Sequence, residues 1–259
     1  MSLKIATWNV NSARARTAHL TRWLTDFAPD IALLQELKCQ DGEFPRLEVE
    51  ALGYAVETHG QKTYNGVAIL AKGRKIDIVR RGLPGDDSDV QSRYIEADIE
   101  GLRVASIYLP NGNPCPGPKF DYKLGWMARL QAHAKTLLAL EKPVVLGGDY
   151  NVCPTDMDLW DVKAMAGDAL VSPEAREAWR ALVNQGWTDA LRHRHPAARL
   201  YSYWDYFRDR FTHDHGLRID HLLLSPEAAD RLGEAGVDRN PRTQEKPSDH
   251  TPAWIELRD

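Results

Sequence analysis

Six polar residues spread along the chain carry side chains suited to phosphate ester chemistry: Glu36, Asp149, Asn151, Asp220, Asp249 and His250. Hard divalent cations such as Mg²⁺ take carboxylate, amide and water oxygens and commonly use one or two carboxylates beside a substrate phosphate. Glu36 and Asp249 suit that role, with Asp149, Asn151 and Asn9 as further oxygen donors. Phosphodiester hydrolysis also needs an activated water, charge stabilisation at a pentavalent phosphorus, and help for the leaving oxygen. Asp149 can act as acid or base, Asn151 can orient water or a phosphate oxygen, and Tyr108 can bring a phenol close to the phosphate. His250 can donate to a phosphate oxygen if a carboxylate orients it, and Asp220 can supply that carboxylate. Each residue alone has a plainer reading. Gly148 to Asn151 reads as a turn, because Asp and Asn favour turns, and Glu36 reads as a solvated strand end. Ser248, His250 and Asp220 also permit an acyl-transfer triad on paper, but no G-x-S-x-G elbow accompanies them.

The elements that must bring these residues together are short β-branched apolar runs. They begin at Lys4 (KIATWNV), Asp30 (DIALLQEL), Gly66 (GVAILAK), Leu102 (LRVASIYL), Pro143 (PVVLGGDY), Ile219 (IDHLLLS) and Ala253 (AWIEL). Each has strand length and is bounded by Gly, Pro, Asn or Asp. Asn9, Glu36, Tyr108, Asp149 and Asn151 fall at the ends of these runs, Asp220 opens another, and Asp249 and His250 precede the last. Strand ends and their loops are where a sheet hands side chains to a common edge. Between the runs, Leu20, Trp23, Leu24 and Phe27 form a helical stripe, as do Met127, Leu130, Ala134 and Leu138. Ser172 before Pro173 predicts an N-cap and a helix through Trp179, Leu182 and Val183. Strands follow one another too closely between Tyr54 and Leu109 for crossover helices, so part of the sheet should be antiparallel. The expectation is a mixed-sheet α/β protein, two sheets face to face with helices outside, in one domain over residues 1–259.

Bulk properties bound the class. At 259 residues a single chain can bury about three quarters of its unfolded surface. Hydrophobic residues at 43% and charged residues at 27% are ordinary globular values. The 33 Lys and Arg against 37 Asp and Glu give a net charge of −4, which argues only weakly against a phosphate-bearing partner. A carboxylate-rich metal site and a basic face can coexist, since a bound divalent ion reverses the local sign. Basic groupings occur at Arg14 and Arg16, Lys72 to Lys75, Arg80 and Arg81, and Arg192 to His195, each also readable as solvated surface. Cys39, Cys115 and Cys153 are odd in number and form no CxxC pair, which fits a reducing, cytoplasmic setting. The first residues do not read as a signal peptide, and no run approaches membrane-span length.

Seven ordered segments then identify a family. TWNVNSARAR (Thr7 to Arg16), LQELK (Leu34 to Lys38), YNGVAIL (Tyr64 to Leu70), YLPNG (Tyr108 to Gly112), GGDYNVCPTD (Gly147 to Asp156), GLRIDHLLLS (Gly216 to Ser225) and EKPSDHTPAW (Glu245 to Trp254) resemble the exonuclease III family of DNA-repair nucleases, within the wider exonuclease, endonuclease and phosphatase superfamily. The resemblance covers essentially the whole chain. It implies a four-layer α/β sandwich with the active site at one edge of the paired sheets. It also implies Glu36 as acidic metal ligand with Asn9 beside it and Asp249 contributing, Asp149 as acid/base, Asn151 as transition-state stabiliser, Tyr108 as catalytic tyrosine, and Asp220 with His250 as the pair at the phosphate. Asn111, Tyr203, Leu217, Ile219 and His250 are the implied substrate contacts, the apolar ones forming a pocket for a flipped-out abasic sugar; their plainer reading is core packing. Flipping costs least where no base is stacked.

The implied activities are 3′-to-5′ exonuclease, abasic-site endonuclease and 3′-phosphatase or phosphodiesterase on double-stranded DNA at abasic sites, 3′ ends and nicks. The expected ion is Mg²⁺, with Mn²⁺ as alternative, and the expected state a monomer without membrane contact. This chain departs from the family pattern at Leu37, where many relatives have Thr, and at Asn11 and Ser12, where others have an acidic or amide residue followed by Gly. Residues 157–171 are less similar and read as a substrate loop. Alternatives are a phosphoesterase for inositol phosphates or sphingomyelin, a member restricted to 3′-end processing, and a nucleic-acid-binding module without catalysis.

Overall fold

The computed structural model describes residues 2–259. Twelve strands among them form two six-stranded sheets. In the first sheet the order is β11 (Leu232–Val237), β12 (Ala253–Arg258), β1 (Ser2–Asn9), β2 (Ile31–Gln35), β4 (Val67–Lys72) and β3 (Tyr54–His59). In the second it is β5 (Asp77–Arg81), β6 (Tyr94–Ile99), β7 (Leu102–Tyr108), β8 (Val144–Asp149), β10 (Asp220–Leu224) and β9 (Thr188–Asp189). Each sheet has one parallel pair at its middle, β1 with β2 and β7 with β8, and is otherwise antiparallel. Parallel neighbours need a crossover. These are helices α1 (Thr17–Asp26) and α3 (Pro118–Leu138), with α2 (Arg46–Glu50) lying between β2 and β3.

The two sheets pack face to face through an aliphatic layer that includes Ile5, Leu33, Ile69, Val104, Val145 and Leu222. On the outside of the first sheet, Leu20, Trp23 and Leu24 of α1 meet Trp8 and Leu34. Outside the second, Trp126 and Leu130 of α3 and Trp179 of α4 (Pro173–Val183) meet Leu146 and Tyr150. This is the four-layer sandwich expected. Ser172 caps α4, its Oγ accepting from Ala175 N at 3.1 Å, as the Ser-Pro pair predicted. The stripe on α3 differs from the expectation. It extends toward the N-terminus through Phe120, Lys123 and Trp126, while Leu138 is only half-buried, so a lysine stands on the apolar face. Strand β11 carries no clear apolar run, and its LGEAGV sequence forms a strand because β12 offers it an open edge.

Near its C-terminal end β8 runs close both to its sheet neighbour β7 and to the facing sheet. A Cβ on Gly148 would lie 2.0 Å from the Ile107 carbonyl oxygen, and one on Gly147 would lie 2.6 Å from Leu33 Cδ1. Glycine is what permits β8 to run so near its neighbours. Gln35 Nε2 donates to Ser106 Oγ at 3.0 Å, and Ser106 Oγ donates to Leu34 O at 2.8 Å, joining β2 to β7 across the core. Asn9, Glu36, Tyr108 and Asp149 therefore emerge side by side.

Candidate active site

Asp149 is the last residue of β8 and pairs in register with Asp220, the first residue of β10. Its Oδ1 accepts from Asn151 N at 2.9 Å, a local turn that places Asn151 in the left-handed region at φ 49°. Its Oδ2 accepts from Asn9 Nδ2 at 3.0 Å, and the same amide nitrogen donates to Glu36 Oε1 at 2.9 Å. Asn9 thus turns a donor toward both carboxylates, and its own Oδ1 accepts from Asn11 N. It bridges the acids of the two sheets.

Glu36 follows β2 at φ 52°. Its Oε1 also accepts from the Tyr108 hydroxyl at 2.8 Å, and its Oε2 lies 2.7 Å from Lys38 Nζ. Burial acts to raise the Glu36 pKa, but Lys38 and Asn9 outweigh it and hold the carboxyl ionised. Burial and the charges of Glu36 and Asp149 push the Tyr108 phenol well above its ordinary value. Tyr108 thus holds Glu36 as a hydrogen-bond donor.

His250 stands between two carboxylates. Its Nδ1 donates to Asp220 Oδ2 at 2.9 Å, and its Nε2 is 3.7 Å from Asp149 Oδ2. Ser202 Oγ donates to the same Asp220 oxygen at 2.6 Å. Burial acts to lower the His250 pKa, yet Asp220 and Asp149 raise it to about 10. Asp149 is pushed up to about 7, chiefly by burial, with Asp220 and Glu36 adding to it against the pull of His250. The two carboxylates thus favour the charged form of the imidazole. Ser248 is not part of it: its Oγ donates to Asn9 O at 2.7 Å and accepts from His250 N. That geometry removes the acyl-transfer triad.

A cavity of about 310 Å³ opens over these groups. Glu36, Tyr108, Asp149, Asn151, Asp249 and His250 line one side. Asn111 lies on the rim and donates through Nδ2 to Asn151 Oδ1 at 3.1 Å. Tyr203, Leu217 and Ile219 form an apolar wall, with backbone bridges from Tyr203 to both Leu217 and His250. The Tyr203 ring meets the His250 ring edge-on at 4.9 Å between centroids. All the residues singled out from the sequence thus lie in or directly behind one cavity, Asn9 and Asp220 being the two behind it.

Two places could hold a cation. Ligand atoms of Asp149, Asp220 and His250 lie within 4.8 Å of one another, with His250 Nδ1 and Asp220 Oδ2 already bonded to each other. Around Glu36 the donors are oxygen, and a cation already stands there: Lys38 Nζ lies 2.7 Å from Glu36 Oε2 and 2.6 Å from Asn11 Oδ1. Asn11 Nδ2 in turn donates to Asp249 Oδ1 at 3.0 Å. This hard, anionic oxygen set fits a divalent ion. Sequence reasoning did not single out Lys38 or Ser202; Lys38 was within reach from its place two residues after Glu36, whereas Ser202 carries no signal of its own. It also missed the Trp160 and His215 rings, stacked at 4.2 Å with the Arg210 guanidinium 4.5 Å from Trp160, which close the far wall.

Comparison with known proteins gives a concordant picture. Residues 6–250 match the Endonuclease/Exonuclease/phosphatase family. An exodeoxyribonuclease III from Haemophilus influenzae is 35% identical over 271 aligned positions, covering 99% of this chain and all of the relative. The 3′ phosphatase NExo from Neisseria, solved with a product DNA hairpin, superposes with TM-score 0.95 at 38% identity over 98% of this chain and 99% of that one. An AP endonuclease from Archaeoglobus fulgidus superposes with TM-score 0.94 at 35% identity, covering 98% of each chain.

Proposed function

The chain belongs to the exonuclease III branch of the endonuclease/exonuclease/phosphatase family, and on that premise we propose that it is a metal-dependent DNA-repair phosphodiesterase acting at abasic sites, 3′ ends and nicks of duplex DNA. One observation carries the reading. A buried carboxylate, Asp149, faces an imidazole fixed by Asp220, on the floor of a cavity that also holds Glu36, Asp249 and Asn151.

Each side chain has a task in cleavage. Asp149, with its pKa raised toward neutrality, accepts a proton from the attacking water. His250, charged and oriented through Nδ1, directs Nε2–H at a non-bridging phosphate oxygen as negative charge builds on the pentavalent phosphorus. Asn151 donates one amide hydrogen to Leu109 O at 2.9 Å and keeps the other for the phosphate or the water. Tyr108 and Asn9 keep Glu36 in place. A divalent ion held by Glu36 and Asp249 would supply Lewis-acid charge for the phosphate and the leaving oxygen; Mg²⁺ suits these oxygen donors, with Mn²⁺ as the alternative. Tyr203, Leu217 and Ile219 offer an apolar surface for a deoxyribose without its base.

A second reading, restriction to 3′-end processing, is favoured by the likeness to the 3′ phosphatase NExo from Neisseria. An abasic duplex, a recessed 3′ end and a 3′-phosphate nick, assayed side by side, separate the two. Turnover of the last two without incision of the first selects the restricted reading. Inactivity on all three with metal present overturns both. The proposal includes one domain over residues 1–259, monomeric and cytoplasmic; among the described residues no helix is long and apolar enough to cross a membrane.

A further inference from the structure

Lys123 is a charged residue on the buried stripe of α3, with no exposed surface. Its ammonium donates to Asn151 O at 2.6 Å, Asn111 O at 3.0 Å and Ala169 O at 3.2 Å. An ammonium has three donors and no acceptor, so these carbonyls saturate it. Burying such a charge is costly unless every donor is met. An apolar side chain would serve the helix packing alone without that cost.

The three carbonyls belong to three separate segments, and all three line the cavity. Asn111 lies in the loop after β7, Asn151 in the loop after β8, and Ala169 in the stretch that brings Trp160, Met165 and Leu170 to the wall. Side chains tie the same segments together a second time. Asn111 Nδ2 donates to Asn151 Oδ1 at 3.1 Å, Asn113 Nδ2 to Asp168 Oδ1 at 3.1 Å, and Ala169 N to Asn113 Oδ1 at 3.0 Å. Backbone geometry has been shaped around the lysine. Gly112, at φ 92°, lies against its stem, and a Cβ there would meet Lys123 Cδ at 2.6 Å. Asn151 holds a left-handed φ of 49°, and its carbonyl receives the shortest of the three bonds.

We propose that Lys123 is a positioning residue for phosphodiester cleavage: through three main-chain carbonyls it fixes Asn111, Asn151 and the wall formed by the segment before α4 as one rigid unit. It touches no substrate itself. The role rests on the reading of this cavity as the hydrolytic site. It also gives residues 157–171 a function, as a wall locked to Asn151 from behind.

The test uses the full chain carrying Lys123→Met, assayed with Mg²⁺ on abasic duplex and recessed 3′ ends, together with amide hydrogen exchange. A misplacement of about 1 Å at a reacting centre costs up to about 10²-fold. The expected result is a kcat lowered about 10-fold to 100-fold with KM for DNA changed less than about threefold. Exchange should rise together in residues 109–113, 151–153 and 166–170, with β1 and β12 unchanged. If Lys123→Met does not fold, Lys123→Gln, with two donors for three carbonyls, is read in its place. A variant that keeps wild-type kcat, or exchange that rises in one segment alone, overturns this role while leaving the hydrolytic reading intact. A wild-type protein inactive with divalent metal overturns the hydrolytic reading and this role with it.

Discussion

Asp220 Oδ2 accepts the Nδ1 proton of His250 at 2.9 Å, and this bond decides which face of the imidazole looks into the cavity. Neither residue is exposed, and Asp220 accepts a second bond from Ser202. The pair favours the charged form of His250 despite its burial. Asp220→Asn should therefore reduce kcat about 10²-fold to 10⁴-fold, the range for loss of positioned acid catalysis. DNA affinity should stay within a few-fold, and the His250 proton should titrate at lower pH by NMR. An unchanged His250 titration in that variant would remove Asp220 from this role.

Asn9 is the bridge between the two acids, its Nδ2 shared by Glu36 and Asp149. Asn9→Ala leaves these carboxylates facing one another without the shared donor. Groups that orient metal-binding carboxylates commonly contribute about 10-fold to 100-fold in metal affinity or activity. A comparable rise in the Mg²⁺ concentration for half-maximal turnover is expected. Calorimetric Mg²⁺ titration that matches wild type would show that the bridge does not shape the cation site.

How much of this was legible in the sequence depends on what kind of contact is involved. Strand ends are marked by pattern, so Glu36, Tyr108, Asp149 and Asp220 could be placed at an edge, and the ordered motifs told which edge residues belong together. Direction within the site was not legible. Whether Asn9 presents oxygen or nitrogen to the carboxylates depends on Asn11 N taking its oxygen, a contact set by the turn after β1. Lys123 broke an otherwise apolar helical stripe, and no local rule says that its partners lie in loops beside Asn111, Asn151 and Ala169. The Trp160 and His215 stack joins two irregular segments with no shared periodicity.

His221 couples fold stability to pH. It is fully buried, donates through Nε2 to Val152 O at 2.9 Å, and accepts from Arg218 Nη1 at Nδ1. Burial, then the charge of Arg218, lowers its pKa to about 4 from the ordinary 6.5. The unfolded chain thus binds a proton that the folded chain refuses. Stability from this group is complete above pH 6.5 and is lost as pH falls toward 4, at about 1.4 kcal/mol per pH unit. Between pH 6.5 and 5 the loss should reach about 2 kcal/mol. His221→Gln keeps one donor and one acceptor without titrating, so its urea midpoint should fall less steeply over that interval. Parallel pH profiles for the two proteins would rule out His221 as the source.

Gly148 tests the close approach of β7 and β8. A methyl group there would lie 2.0 Å from the Ile107 carbonyl oxygen, a contact that only backbone movement relieves. Gly148→Ala should destabilise the protein by about 3 kcal/mol or prevent folding, at the upper end of overpacking effects. It should also displace Asp149, the next residue, so that any folded fraction is poorly active. At about 2–4 °C per kcal/mol for a chain of this size, about 3 kcal/mol should lower the melting temperature by about 6–12 °C, and one within about 2 °C of wild type would contradict the packing described for this edge.

The central claim is that Asp149 and His250 perform metal-dependent hydrolysis of DNA phosphodiesters in one cavity. Its most direct test is single-turnover cleavage of an abasic duplex, a recessed 3′ end and a 3′-phosphate nick by wild type and Asp149→Asn, with Mg²⁺ and with EDTA. The account predicts cleavage by wild type with Mg²⁺, none with EDTA, and a loss of about 10²-fold or more in Asp149→Asn at retained DNA binding. Undiminished cleavage by Asp149→Asn, or no cleavage of any substrate by metal-bound wild type, would contradict it.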